Sequence, residues 1–435
     1  MKKFLIGAIM LCFLASVLFL GTSCKNTGSA TTASKETSTA IEENAVLNVL
    51  LMSQSGYTEE DINKITSEFT TKYPNIKVNL TFVAYESLHD KIVTSFASGQ
   101  DFDVVLVDCV WPSEFASAGY LLDVTDKITD EMKKDVYPSV FKSGIFKDKY
   151  YAIPWLNDIP YFYYNEKILK DAGFDAPPKT WTELIEQSKV IKDKGLVEYP
   201  FIDAWPMTEE LAAQYGIYLN AFGGDFLDKD LKPVLDSKAV QALDFMVNGI
   251  KDGYINPASI EMHYDDVRNV LGQGNAAFAM GWTYAFGLLN DAKESKVAGN
   301  IKVTLIPGEK TVSTSINGGM GLGISSKCKY PNAAWKYVEY LSSKDVQRRF
   351  SQNSLPIWMS LYDDPEVVKT QPDLVPVSKE QYKYVVSIPS TPWYSEFTKT
   401  IELEIHNTLT GSKTSQEVID AITKKAEELG QKYGN

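Results

Sequence analysis

The chain has 435 residues, 44% of them hydrophobic and 12% aromatic, and its 56 acidic and 43 basic side chains give a net charge of -13. That length accommodates about two to three domains with sizeable cores. The charge argues against a nucleic-acid or anionic-membrane surface, since both would repel it, and fits a neutral or cationic ligand.

Lys2 and Lys3 precede an apolar stretch from Phe4 to Leu20, and small residues then lead to Cys24. Residues 1–24 therefore read as an export signal. A small-residue run ending in cysteine resembles a bacterial lipoprotein signal, in which the thiol is diacylated and becomes the new N-terminus. One position departs from that pattern: Gly21 stands where leucine is usual, and Leu20 lies one place too early. The resemblance implies an exported chain, lipid-anchored through Cys24 on the extracytoplasmic face of the cell membrane; ordinary signal cleavage is the alternative. Residues 25–44 mix Ser, Thr, Ala, Lys and Glu with no aromatic residue, the composition of a flexible tether spanning on the order of 25 Å.

Cys12 leaves with the signal, so Cys109 and Cys328 remain in the body. So far apart, they read as small buried hydrophobes, with a bridge left open by export. His89, His263 and His406 are isolated and no CxxC occurs, which gives no expectation of a metal, a cofactor or a histidine triad.

The body opens with an apolar run from Val46 to Met52, followed by a loop from Ser53 to Tyr57 that includes Gln54 and Ser55. Thr58 and Asp61 form a capping pattern ahead of Ile62, Ile65, Phe69 and Tyr73 at helical spacing. Alternation of Ile76, Val78, Leu80 and Phe82 predicts a strand; Leu88, Ile92, Val93 and Phe96 predict a helix. A third strand, from Asp103 to Val107, ends at Asp108. Strand, helix, strand, helix, strand reads as a parallel sheet with helical crossovers, in which ligands lie beyond the carboxyl ends of strands. Those ends are the 53–57 loop, Tyr85 with Glu86, and Asp108 to Trp111.

An aromatic run from Lys149 to Asn165 follows, broken by Pro154 and Pro160, with Trp155, Asn157 and Asp158 between the two. No core pattern explains it, and it reads as a crossing between lobes that also lines a cleft. Thr180 and Glu183 make a capping-box pattern. Asp225, Asp228 and Asp230 read as a hairpin, because they lack the glycine and distal glutamate of a calcium loop. Residues 313–325 read as a strand pair turned at Asn317 to Gly319.

Of the eight tryptophans, Trp181 follows a helix cap and Trp335 lies on an apolar helical face. Trp111, Trp155, Trp205, Trp282, Trp358 and Trp393 stand near Pro or Gly in loops, where periodic burial does not account for them. A pyranose ring offers an apolar face and a rim of hydroxyls, which indole plates and carboxylate or amide acceptors match. Asp108 and Asp158 are the candidate acceptors, and sugar binding is the expectation.

The motifs at Tyr150 to Pro154, Tyr163 to Gly173, Pro177 to Leu184, Gly223 to Asp228, Gly274 to Trp282, Gly318 to Ser325 and Ala333 to Leu341 resemble those of the extracellular solute-binding proteins of ABC importers. The resemblance is to the large sugar-binding family that includes maltose-binding protein, and spans roughly residues 45–430. It implies an α/β fold of two lobes, each with a mainly parallel sheet flanked by helices. Three hinge crossings would fall near residues 157–160, near 308–313 and near Leu355. The expected lobes are 45–157 plus 313–355, and 158–312 plus 356–435 with the terminal helices.

The family's cleft carries over to the loop Ser53 to Gly56 with Gln54 and Ser55, Asp108, the stretch from Trp155 through Asn157 and Asp158 to Tyr161, Trp282, and Gly319 with Met320. Tyr85 and Trp111 join them as strand-end residues; Trp205, Trp358, and Trp393 with Tyr394 rest on the ring argument alone. No catalytic residue is expected. The implied partners are a carbohydrate, an oligosaccharide given so many rings, and the permease subunits of an ABC importer, with the chain a monomer. The competing expectations are an exported carbohydrate-active enzyme using Asp108 and Asp158 as its carboxylates, and a protein that delivers its ligand to a sensor kinase.

Overall fold

The computed structural model describes residues 44–53, 56–99, 102–352 and 354–433. The leader, Cys24, all but the last residue of the tether, Gln54 and Ser55 lie outside the described residues. Strands β1 (Ala45–Met52), β2 (Ile76–Val83) and β3 (Val104–Asp108) are those the apolar runs predict, joined by helices Glu59–Lys72 and Tyr85–Ser98. A short hairpin, β4 (Ile145–Phe146) with β5 (Lys149–Tyr150), precedes β6 (Ala152–Leu156) and β7 (Tyr161–Asn165). The remaining strands are β8 (Phe201–Ile202), β9 (Phe278–Gly281), β10 (Ile301–Thr304), β11 (Ser315–Ile316), β12 (Met320–Ile324) and β13 (Val385–Val386).

Two sheets carry the two lobes, one in the order β2-β1-β3-β12-β6 and the other β10-β7-β9-β8. In the first, β1 runs parallel to β2 and β3, while β12 is antiparallel to both β3 and β6. In the second, β8 and β9 are parallel, while β7 is antiparallel to β9 and β10. Each sheet thus has a single reversed strand, and its cause is connectivity. A chain that leaves one sheet at a carboxyl end and crosses directly to the other must enter there at the facing edge, running backwards. The registers show it: Met320, which opens β12, pairs with Asp108, which closes β3, and Tyr161, which opens β7, pairs with Gly281, which closes β9.

Period-two alternation divides β7 between two cores. Tyr161 and Tyr163 pack in one cluster with the first sheet, and Phe162 packs in the other with Trp181, Phe201 and Phe278. On β12 the small residues have a packing reason: a Cβ on Gly321 would stand 3.0 Å from the Ile153 carbonyl oxygen, and one on Gly323 would stand 2.8 Å from Leu121. Helix ends follow their cap signals. Thr58 and Asp61 close a reciprocal capping box, as do Thr414 and Glu417. Thr180 caps its helix by accepting from the Glu183 N–H, but the Glu183 carboxylate accepts from Lys179 instead of completing the box.

Two expectations differ from the structure. Residues 313–325 are not a hairpin: β11 pairs in parallel with β13, while β12 enters the first sheet. Asn317 to Gly319 forms the return between lobes, with the Gly318 N–H bonded to the Asp158 carbonyl. Residues after Leu355 do not pass at once to the second lobe. Leu355 bridges to Asn157, and Trp358 then bridges to Val136 and donates its indole N–H to the Ser342 carbonyl. Ser360 bonds Asp135 in the same region. The chain reaches the second core at β13, where Val386 packs against it, and then enters it with helix Tyr394–Leu409. A proline and a loop tryptophan gave the sequence no sign of that detour, because its partners Asn157, Val136 and Asp135 are more than a hundred residues upstream.

Candidate functional site

The carboxyl ends of both sheets, and the starts of their reversed strands, face the junction where the crossings lie. Three groups of nominated residues collect there. Trp155 on β6 stacks on Tyr57 of the loop after β1, with centroids 5.2 Å apart and planes inclined by 14°. Both rings are almost wholly buried, yet the Trp155 indole N–H and the Tyr57 hydroxyl have no hydrogen-bond partner. Such atoms are costly to bury, at about 1–3 kcal/mol each.

The second group is acidic. Tyr85, which begins its helix, lies with its hydroxyl 3.3 Å from Asp108 and 3.3 Å from Glu209. Asp108 ends β3 in the first lobe, and Glu209 begins helix Glu209–Ala221 in the second. Trp111 stacks on Tyr85 at 6.0 Å and 14°. Burial pushes Asp108 up to about 6, partly offset by bonds from Cys109, Val110 and Tyr85. Burial, then the Asp108 charge, pushes Glu209 up to about 7. Tyr394 adjoins the pair, its own hydroxyl pushed well up by burial and by Glu209.

The third group sits on the crossing. Asp158 accepts from the backbone and the hydroxyl of Thr283, and burial pushes it up to about 6. Half-buried Trp282, just before Thr283, meets Tyr264 edge-on at 5.6 Å. Its six-membered ring lies so close to Gly318 that a Cβ there would stand 2.3 Å from the ring. Tyr161 is fully buried beside these residues at the start of β7.

Other nominated side chains have structural work. Asn157 is consumed by the hinge: its amide donates to the Pro356 carbonyl and the Tyr362 hydroxyl, and its oxygen accepts from Tyr382. Gly319 and Met320 act through backbone, one bonded to Asn317 and the other paired with Asp108 and Leu156. Trp205 is inside the second lobe, donating to Asp203, whose carboxylate also accepts from Ala204, Gln214 and Tyr218. Trp393 packs edge-on against Phe397 in the second core. Trp358 lies under Lys344 on the first lobe, away from the junction. The six loop rings therefore do not share one surface, and Trp205 and Trp358 are plugs for their own surroundings. Proximity to Pro or Gly concealed that role: the Trp205 N–H finds its acceptor two residues back on Asp203, and the Trp358 N–H finds the Ser342 carbonyl.

Sequence reasoning placed Tyr57 in a strand-end loop without singling it out, and missed Glu209. Glu209 and Glu210 follow Thr208 at a helix start, where acidic residues are expected for the helix dipole alone, so the signal was masked. Cys109 and Cys328 are free thiols, and Cys109 contacts the Asn317 carbonyl at 3.1 Å. A cavity of about 240 Å³ opens nearby, lined by Cys109, Lys142, Asp225, Asp228, Asn317 and Ser390 among others, with no nominated residue in its wall.

Comparison with known proteins agrees with this architecture. The maltose-bound MalE3 of T. maritima has a similar structure, with a TM-score of 0.80 and 29% identity over 88% of this chain and 100% of that one. A solute-binding protein of Thermotoga lettingae bound with alpha-D-tagatose gives 0.78 and 26% over 88% and 99%. In sequence, the chain is 31% identical to a probable ABC transporter-binding protein of Deinococcus radiodurans over 63% of this chain and 67% of that one. Two lobes with their strand ends turned to a common junction define a ligand-capturing protein. Residues 55–348 match the model of the bacterial extracellular solute-binding proteins, and the chain belongs to that family. It is a solute-binding protein of the ABC-transporter type and acts outside the cytoplasm; its matches are solute-binding proteins, not enzymes. No helix among the described residues is long and apolar enough to cross a membrane.

Proposed function

We propose that this protein captures a sugar, in particular an oligosaccharide, between its lobes and delivers it to the permease of an ABC importer while anchored through a lipid on Cys24. The observation that carries this reading is the junction itself: ring plates at Tyr57, Trp155 and Trp282 beside carboxylates at Asp108, Asp158 and Glu209, supplied by both lobes. Rings stack on the apolar face of a pyranose and carboxylates accept from its hydroxyls. The unpartnered Trp155 N–H and Tyr57 hydroxyl supply donors for the same ligand. Maltose and tagatose in the two similar structures support the ligand class.

The first lobe comprises 45–157 with 313–355 and, by its contacts, the detour through Trp358; the second comprises 158–312 and the terminal helices. A ligand touching both lobes binds the closed state better than the open one and shifts the population towards it, and the closed monomer is what the permease reads. A thermal-shift screen of neutral mono- and oligosaccharides tests this. An oligosaccharide at 100 times its Kd stabilises the chain by about 2.7 kcal/mol, a shift of several degrees. Shifts with monosaccharides alone would remove the oligosaccharide assignment, and no shift with any sugar would remove the carbohydrate reading.

A further inference from the structure

The Tyr85 hydroxyl has one proton and two carboxylates in reach, one from each lobe. It can serve only one of them at a time. The other must hold its own proton or stand as a buried, unpaired charge beside a like charge, an arrangement that disfavours double ionisation. The main groups facing the pair offer no relief. On the first lobe these are Tyr85 and the Cys109 thiol, both pushed well up by burial and therefore neutral. On the second they are Tyr394, likewise neutral, and Glu402, another acid, whose own cation is Lys399. The nearby bases are engaged elsewhere: His89 with Glu114, and His263 with Glu210.

We propose that Asp108 and Glu209 form a charge filter across the closing interface: the lobes meet here when the pair holds one proton or faces a cationic group, so the cleft takes neutral and amine-bearing ligands and rejects anionic ones. That the ligand is a carbohydrate rests on the function proposed above; the proton requirement of closure does not. Opening separates the two acids and returns each towards its ordinary range near 4. Closure therefore takes up a proton, and is progressively favoured as pH falls from about 7 towards about 4. The burial that raises both groups supports the same direction.

Small-angle scattering of the ligand-free full chain at a series of pH values tests the proton requirement without any sugar. The expected result is a smaller radius of gyration at about pH 5 than at about pH 8, with the difference lost in Glu209→Gln. Calorimetry with maltotriose in two buffers of unequal ionisation heat should show uptake of up to one proton, with affinity falling by up to about tenfold per pH unit as pH rises from about 4 to about 7. A uronic-acid-bearing trisaccharide should bind at least tenfold more weakly than maltotriose, and Glu209→Gln should narrow that gap. Should Glu209→Gln fold poorly, Asp108→Asn serves the same comparison. Dimensions and affinities independent of pH, or a Glu209→Gln profile identical to the original, would overturn the filter. If maltotriose and every other sugar fail to bind while the scattering still depends on pH, the carbohydrate reading falls and the filter stands.

Discussion

Asp203 shows what a buried acid needs in this protein. Its carboxylate takes hydrogen bonds from the Ala204 backbone, the Trp205 indole, the Gln214 amide and the Tyr218 hydroxyl, and nothing of it is exposed. Asp203→Ala would strand three side-chain donors in the second core and should cost about 3 kcal/mol or more, measured by urea denaturation. Asp108, Asp158 and Glu209 have fewer donors, and burial, which pushes even the well-bonded Asp203 up to about 7, raises them to about 6, 6 and 7. For a carboxylate raised on folding, the native state binds protons more tightly than the unfolded one. Stability is then greatest below the ordinary carboxylate range and falls as pH rises through 6 to 7, where these groups ionise in place. The melting temperature of the ligand-free chain should accordingly be higher at about pH 5.5 than at about pH 8, and equal values by calorimetry would contradict the burial of these groups. None of this was legible residue by residue. Asp108 and Asp158 were readable as polar residues at a strand end and a crossing, but Glu209 resembles any helix-starting acid until Tyr85 is seen beside it.

At the scale of elements, the two reversed strands tie the lobes together. β12 lies between β3 and β6, and its glycines let neighbouring strands and the Leu121 side chain approach. Gly321→Val would drive a branched side chain against the Ile153 backbone and should destabilise the first lobe by about 1–3 kcal/mol, seen as a lower midpoint of denaturation. Hydrophobic period alone found β1, β2, β3 and their helices, because each buries a continuous or alternating apolar set. It misread residues 313–325 as a hairpin, since a turn signature at Asn317 to Gly319 is the same whether the flanking strands pair with each other or with distant partners. Only the pairing of β11 with β13 and of β12 with β3 decides between the two.

On the scale of the whole molecule, closure brings residues from opposite lobes to one hydroxyl, and the Asn157 network fastens the hinge behind them. In the function proposed above, the output of such a lobe pair is a closed shape that a membrane partner reads. The proposed lipid on Cys24 makes retention at the membrane a property of the anchor rather than of the body. Cys24→Ala should move the protein from the membrane fraction to the soluble fraction on sedimentation, whereas unchanged retention would refute lipidation.

The amino-acid sequence determined, by itself, the family, the two-lobed α/β architecture and the strand ends that face the junction, because these follow from local periodicity, caps and motif order along the chain. It did not determine which aromatic rings serve a ligand. Trp205 and Trp358 look like Trp155 and Trp282 in sequence, yet the tertiary structure gives the first pair satisfied indole N–H groups in their own lobes. It leaves the Trp155 N–H buried without a partner and sets Trp282 half-exposed against the crossing. The difference lies in what each ring meets once the chain is folded, and burial energy and hydrogen-bond satisfaction are properties of that meeting, not of residue type alone.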